Sequence, residues 1–86
     1  MTNKEEEVFS RAPEYRKYYV TNVKGGMTEH DIRFELLNER INDGKNDIFI
    51  ADAGVFMSFI GAKRLFNELK KAIEEYEKKN GNIKLP

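Results

Sequence analysis

The 86-residue chain carries 15 Lys+Arg against 15 Asp+Glu, a single histidine and no cysteine. Zero net charge gives no field that would draw nucleic acid to the whole molecule, and the lack of cysteine excludes a disulfide framework and a thiolate metal site. The 40% apolar and 35% charged residues suit one small globular domain. A chain of this size buries only roughly 60–65% of its unfolded surface, so extra burial, most simply by oligomerisation, is expected.

The charges are unevenly placed. Residues 18–57 hold four basic and seven acidic side chains, net −3, and residues 58–86 hold seven basic and four acidic, net +3. Such an acidic body with a basic end can attract a second copy of itself as readily as another partner. The start of the chain lacks the apolar segment of a signal peptide, and no apolar run approaches the ~20 residues that span a membrane. A cytoplasmic location without a membrane partner is therefore expected.

Residues 1–14 read as a flexible polar tail. Glu5, Glu6 and Glu7 form a solvated charge run, Val8 and Phe9 are able to dock on the body, and Pro13 interrupts regular structure. A single α+β domain is expected over residues 15–86. Tyr15 to Lys24, rich in aromatic and β-branched residues, predicts the first strand. Gly25-Gly26 predicts a turn, with Met27 to His30 extending the loop. Asp31 to Ile41 predicts the second strand, in which Ile32, Phe34 and Leu36 share a face opposite Arg33 and Glu35. The alternation slips at Leu36-Leu37, the signature of a bulge or of a face ceasing to be buried.

Asn42 to Asn46 contains Asp43-Gly44, a pair suited to the positive φ angles of tight hairpins. Asp47 to Met57 predicts the third strand, with Ile48 and Ile50 on one face and Phe49, Ala51, Ala53 and Val55 on the other. From Met57 to Gly81 the apolar residues Ala62, Leu65, Phe66, Leu69, Ala72, Ile73 and Tyr76 recur at steps of three and four, one stripe of a helix. Ser58 supplies an N-cap and Gly81 a left-handed C-terminal cap. The reading is a three-stranded antiparallel meander followed by one long C-terminal helix packed on one sheet face (β-β-β-α). A third strand apolar on both faces needs cover on both. One helix covers one face, so the other, with the helical end near Tyr76, calls for a second subunit unless the N-terminal tail folds over it. A homodimer is expected, with Phe49, Ala51, Ala53, Val55 and Tyr76 as interface or core candidates.

Catalytic chemistry finds no support in the residues. His30 stands between Glu29 and Asp31 in a loop, with no second histidine or cysteine to complete a metal shell, and it is the only base available to a nucleophilic triad. Gly25-Gly26 does not open a helix, and no cofactor or enzyme activity is expected. One constellation suggests nucleic acid. Arg16, Lys17 and Tyr18 interleave cations with an aromatic ring in the expected first strand, and Arg64, Lys71 and Lys78 form a ridge at seven-residue steps along the helix. Glu68, Glu74 and Glu75 lie three or four residues before Lys71, Lys78 and Lys79, so the helix also neutralises its own charge.

Met57-Ser58, Ala62-Lys63-Arg64-Leu65, Ile73, Tyr76-Glu77-Lys78 and Gly81 resemble the C-terminal signature of a small bacterial and archaeal family, domain of unknown function 3467. Tyr19 to Val23, Thr28-Glu29 and Asp31 to Phe34 are similar to its tyrosine-asparagine strand and the strand that follows. The resemblance covers about residues 17–82 and implies the same strand-strand-strand-helix order. Where that family has Pro-Gln-His just inside the helix, Phe59-Ile60-Gly61 stand here. The connection between the second and third strands is also shorter here. The resemblance implies no activity. A non-catalytic homodimeric interaction module is the resulting expectation, with nucleic-acid binding as the alternative.

Overall fold

The computed structural model describes residues 8–86, apart from the side chain of Glu39. The Glu5 to Glu7 charge run lies outside the described residues. Three strands, β1 (Asn22–Met27), β2 (Ile32–Asn42) and β3 (Asp47–Met57), are followed by one helix, α1 (Phe59–Asn80). The strands form a single antiparallel sheet in the order β1-β2-β3.

β2, β3 and α1 fall where hydrophobic periodicity predicts them, and β1 does not. Tyr15 to Val20 has strand-forming composition but belongs to no strand, and Gly25-Gly26 lies inside β1 instead of turning the chain. The cause is on β2. Pairing runs Leu36 with Ala53, then Leu37 with Ala51, then Glu39 with Ile50. Asp52 is thus an extra residue on β3 and Asn38 an extra residue on β2. A bulge bends its strand and interrupts the ladder, and β1 pairs with β2 only as far as Leu37. Thr21 closes the ladder, its N–H donating to the Leu37 carbonyl and its hydroxyl to the Asn38 carbonyl, both at 2.9 Å. Residues before Thr21 have no strand to join.

The real first turn is Thr28 to Asp31. The Thr28 N–H donates to the Asp31 carbonyl at 2.9 Å, and the Asp31 N–H donates back to the Thr28 hydroxyl at 3.1 Å. Gly25 serves a different purpose. It pairs with Phe34, and a Cβ there would strike the Phe34 ring and the Arg33 carbonyl. Gly26, one residue on, has open space around it and no positive φ. Gly25→Ala is expected to lower stability by about 1–3 kcal/mol through overpacking. Gly26→Ala should be neutral or slightly stabilising, because it only narrows the unfolded ensemble. Paired urea denaturation curves check both, and equal effects would remove the close approach as the reason for Gly25.

The second turn is set by side chains acting on the backbone. Asp43 Oδ1 accepts from the N–H groups of Lys45 and Asn46 at 2.9 and 2.7 Å, and Asn42 Oδ1 accepts from Gly44 at 2.7 Å. Gly44 has φ 93°, a conformation that a side chain disfavours.

The paired bulges also reassign the faces of β3. Ala53 pairs with Leu36 and Ala51 with Leu37, neighbours on β2 that point to opposite sides. Phe49 and Ala51 therefore do not share a face with Ala53 and Val55. Following the register, one face carries Val23, Ile32, Phe34, Leu36, Ile41, Ile48, Ile50, Ala53 and Val55. The opposite face carries Lys24, Arg33, Glu35, Leu37, Arg40, Phe49 and Phe56. Apart from Glu39, the partner of Ile50, the first side is apolar, and the second is mixed.

Ser58 begins α1, its Oγ accepting from the Gly61 N–H at 3.0 Å. Gly81 ends it by donating its N–H to the Glu77 carbonyl at 2.9 Å. Its φ of 83° and ψ of 169° lie in glycine territory but outside the left-handed helical region expected there. Lys78 and Lys79 in the last turn complement the helix dipole. The expected packing of α1 on a sheet face is not made within one chain: contact with β3 is slight and no residue of α1 is buried. β3 passes into α1 through Ser58 alone, shorter than the two to six residues that usually let a helix fold back on its strand. The radius of gyration is 17.2 Å, against about 12 Å for a compact chain of this length.

The described part of the tail does not cover the sheet either. Val8 and Phe9 are both exposed, Phe9 by 88%. A turn brings the Tyr15 N–H to the Ala12 carbonyl at 2.9 Å, and Arg11 lies 4.8 Å from the centre of the Tyr15 ring.

Candidate interaction surface

Leu37, at 4% exposure, is the one buried apolar side chain among the described residues. It sits at the bulge, with Thr21, Asn22 and Phe49 beside it and the C-terminal Leu85 and Pro86 forming the far wall of a shallow groove of about 470 Å³. Glu77 directs the tail after α1, its Oε2 accepting from the Ile83 N–H at 2.8 Å. A second open hollow of about 610 Å³ lies between Phe9, Arg11 and Tyr15, within the N-terminal segment itself.

On the mixed sheet face two cations lie over aromatic rings. The Arg33 guanidinium lies 4.2 Å from the centre of the Phe56 ring, and the Lys24 ammonium lies 5.6 Å from that of Phe49. Each cation spreads over an aromatic face and is attracted by the ring's quadrupole. Arg33 is steadied from behind by Asp31, with Nε donating to Oδ1 at 2.8 Å. Phe49 and Phe56 nevertheless stay 38% and 67% exposed, so the second face of β3 is not covered by the helix or the tail within one chain.

Two carboxylates are tuned by the turns. The Arg33 guanidinium, and after it the Thr28 hydroxyl, hold the Asp31 carboxyl below its ordinary value of 3.8. The N–H groups of Asn46 and Lys45 do the same to Asp43. Both groups have lowered folded-state pKa values, so the stability they contribute is complete above 3.8 and lost as the pH falls through the lowered values. The melting temperature should be insensitive to these two groups from neutral pH down to about 5 and fall below 3.8. Asp43→Asn keeps an acceptor oxygen and should flatten part of that acid limb in a calorimetric pH series.

The interface candidates from sequence divide. Ala53 and Val55 are half-buried on the apolar face, Phe49 and Ala51 lie on the other face, and Tyr76 is 54% exposed on α1. The helix stripe around Tyr76 is equally open, with Phe66 at 53% and Leu69 at 51%. Sequence reading missed Ile41, Ile48 and Ile50 as members of the same apolar face as Val55; the Leu36-Leu37 slip was the signal that would have found them. Of the nucleic-acid candidates, Arg16, Lys17 and Tyr18 fall in the irregular segment before β1, so they do not form the strand platform expected of them. Arg64, Lys71 and Lys78 all lie on α1. Among the described residues no three of His, Cys, Asp and Glu gather where a metal ion would be held, and no helix is long and apolar enough to cross a membrane.

A meander that runs straight into one long amphipathic helix, with a largely apolar sheet face and a helix stripe left open, defines a small α+β domain of open construction. The chain belongs to the family described as Protein of unknown function (DUF3467), whose model matches residues 2–85. That match takes in the N-terminal segment as well as residues 17–82, which carry the resembling motifs. No curated protein and no solved structure matches the chain.

Proposed function

We propose that the chain is a non-catalytic homodimeric interaction module, in which a second copy covers the apolar sheet face and the helix stripe. The observation that carries this is the near absence of a core. Ordering each residue costs roughly 1–2 kcal/mol of backbone entropy, and fully burying one leucine recovers only about 1.5–3 kcal/mol. Leu37 alone cannot offset the ordering of three strands and a 22-residue helix. With no cysteine to staple the fold, the missing burial comes from another chain. A copy of the same chain is always present at matching concentration, and the net −3 body of each copy complements the net +3 helical end of the other reciprocally.

Sedimentation equilibrium at micromolar concentration tests this. The expected mass is about twice the 10.1 kDa of the chain, with a melting temperature that rises with protein concentration. A cooperatively folded monomer would overturn the reading.

Nucleic-acid binding is the second reading, supported by Arg64, Lys71 and Lys78 in line on an exposed helix. It has lost the strand half of its support, since Arg16, Lys17 and Tyr18 stand outside the sheet. Phosphate-driven binding weakens steeply with salt, so a mobility-shift series on mixed DNA and RNA decides it. No shift at low salt removes this reading.

A further inference from the structure

The stripe on α1 specifies the direction in which a partner helix lies. Its apolar residues are arranged symmetrically about Leu69: Phe66 and Ala72 three residues to either side, Leu65 and Ile73 four, Ala62 and Tyr76 seven. Leu65, Phe66, Leu69, Ile73 and Tyr76 are all exposed, and Ala62 is half-buried. Laid against an antiparallel copy of itself with a two-fold axis at Leu69, each residue meets the one equally far on the other side. Phe66 then faces Ala72 and Tyr76 faces Ala62, large against small, as interdigitating layers require. Leu65 faces Ile73, and Leu69 meets its own copy.

The charged residues lie off this stripe: at 100° per residue Arg64 and Glu74 stand about 140° from the Leu69 direction, and Lys63 and Glu75 about 120°. A parallel pairing instead sets each residue against its own copy, Phe66 on Phe66 and Ala72 on Ala72. A periodic stripe is compatible with either direction. The alternation of side-chain volumes selects the antiparallel one.

We propose that α1 pairs with α1 of a second copy of this chain, antiparallel, with the two-fold axis at Leu69. This rests on the homodimer reading and names its surface. Such an interface is isologous and closes at two copies.

Cysteine scanning of the full chain tests the geometry without background, since the chain has no cysteine. Positions 62 and 76 are about 21 Å apart along one helix, far beyond the reach of a disulfide within the chain. Oxidised protein carrying both Ala62→Cys and Tyr76→Cys should run as a covalent dimer, and neither single variant should cross-link. Cross-linking of Ala62→Cys to itself would establish parallel pairing and overturn the proposal. No cross-link in any variant, with sedimentation still giving twice the chain mass, would also overturn it while leaving the dimer standing. A monomer by sedimentation removes both readings. A compensating pair guards against loss of folding. Phe66→Ala should raise the dissociation constant roughly tenfold or more by emptying its layer twice, and adding Ala72→Phe, which refills the same layers from the other copy, should restore most of the affinity. An unrecovered double variant counts against the antiparallel register.

Discussion

Leu69→Glu should convert the protein from the proposed dimer into a largely unfolded chain. Leu69 is 51% exposed in the single chain, so within a monomer this would be a surface substitution worth only about 0.5 kcal/mol. At the proposed two-fold axis it instead places two carboxylates against each other in the centre of the seam, where truncations cost most and unpaired charges are not tolerated. The lost association free energy is also folding free energy if the open monomer has no stable state of its own. Circular dichroism and sedimentation at the same concentration check this, with loss of helix and loss of mass expected together. Retention of the wild-type mass and melting temperature would mean that Leu69 faces water.

Leu37→Ala should lower stability by about 3 kcal/mol, the usual scale for deleting a buried leucine side chain. For a chain of this size that corresponds to a fall in melting temperature of roughly 15 °C. The reason is local. Leu37 lies on the mixed sheet face, at the bulge where β1 ends, and no other apolar side chain among the described residues is buried. Its loss leaves a hole between Phe49 and the C-terminal Leu85-Pro86 that the flanking backbone, held by the Thr21 bonds, cannot collapse to fill. Urea denaturation of both proteins at one fixed concentration checks this.

The locations of β2, β3 and α1, the Asp43-Gly44 turn, the Ser58 cap and the Gly81 stop were legible because each depends on residues close in sequence. Alternation, turn chemistry and capping are local physics, and the α+β order follows from them. The family likeness was legible for the same reason, in the motif from Ala62 to Leu65. What failed depended on a distant partner. Tyr15 to Val20 has the composition of a strand, but whether it pairs is decided by the extra residue Asn38 on β2. Gly25 looks like a turn residue until Phe34 is seen lying over it. Phe49 and Val55 appear to share a face until the extra residue Asp52 shifts the phase between them.

The chain by itself determined its three strands in outline, its helix with both ends, its balanced but polarised charge, and the helical stripe with its symmetry about Leu69. Only the tertiary structure decided that the stripe stays open and that the sheet has one apolar face. It also decided that Leu37 alone is buried among the described residues. The physical reason is that burial is a relation between segments. A one-residue link after Met57 leaves α1 off the sheet, and two bulges that compensate for each other gather the isoleucines of β2 and β3 onto the side of Phe34 and Val55.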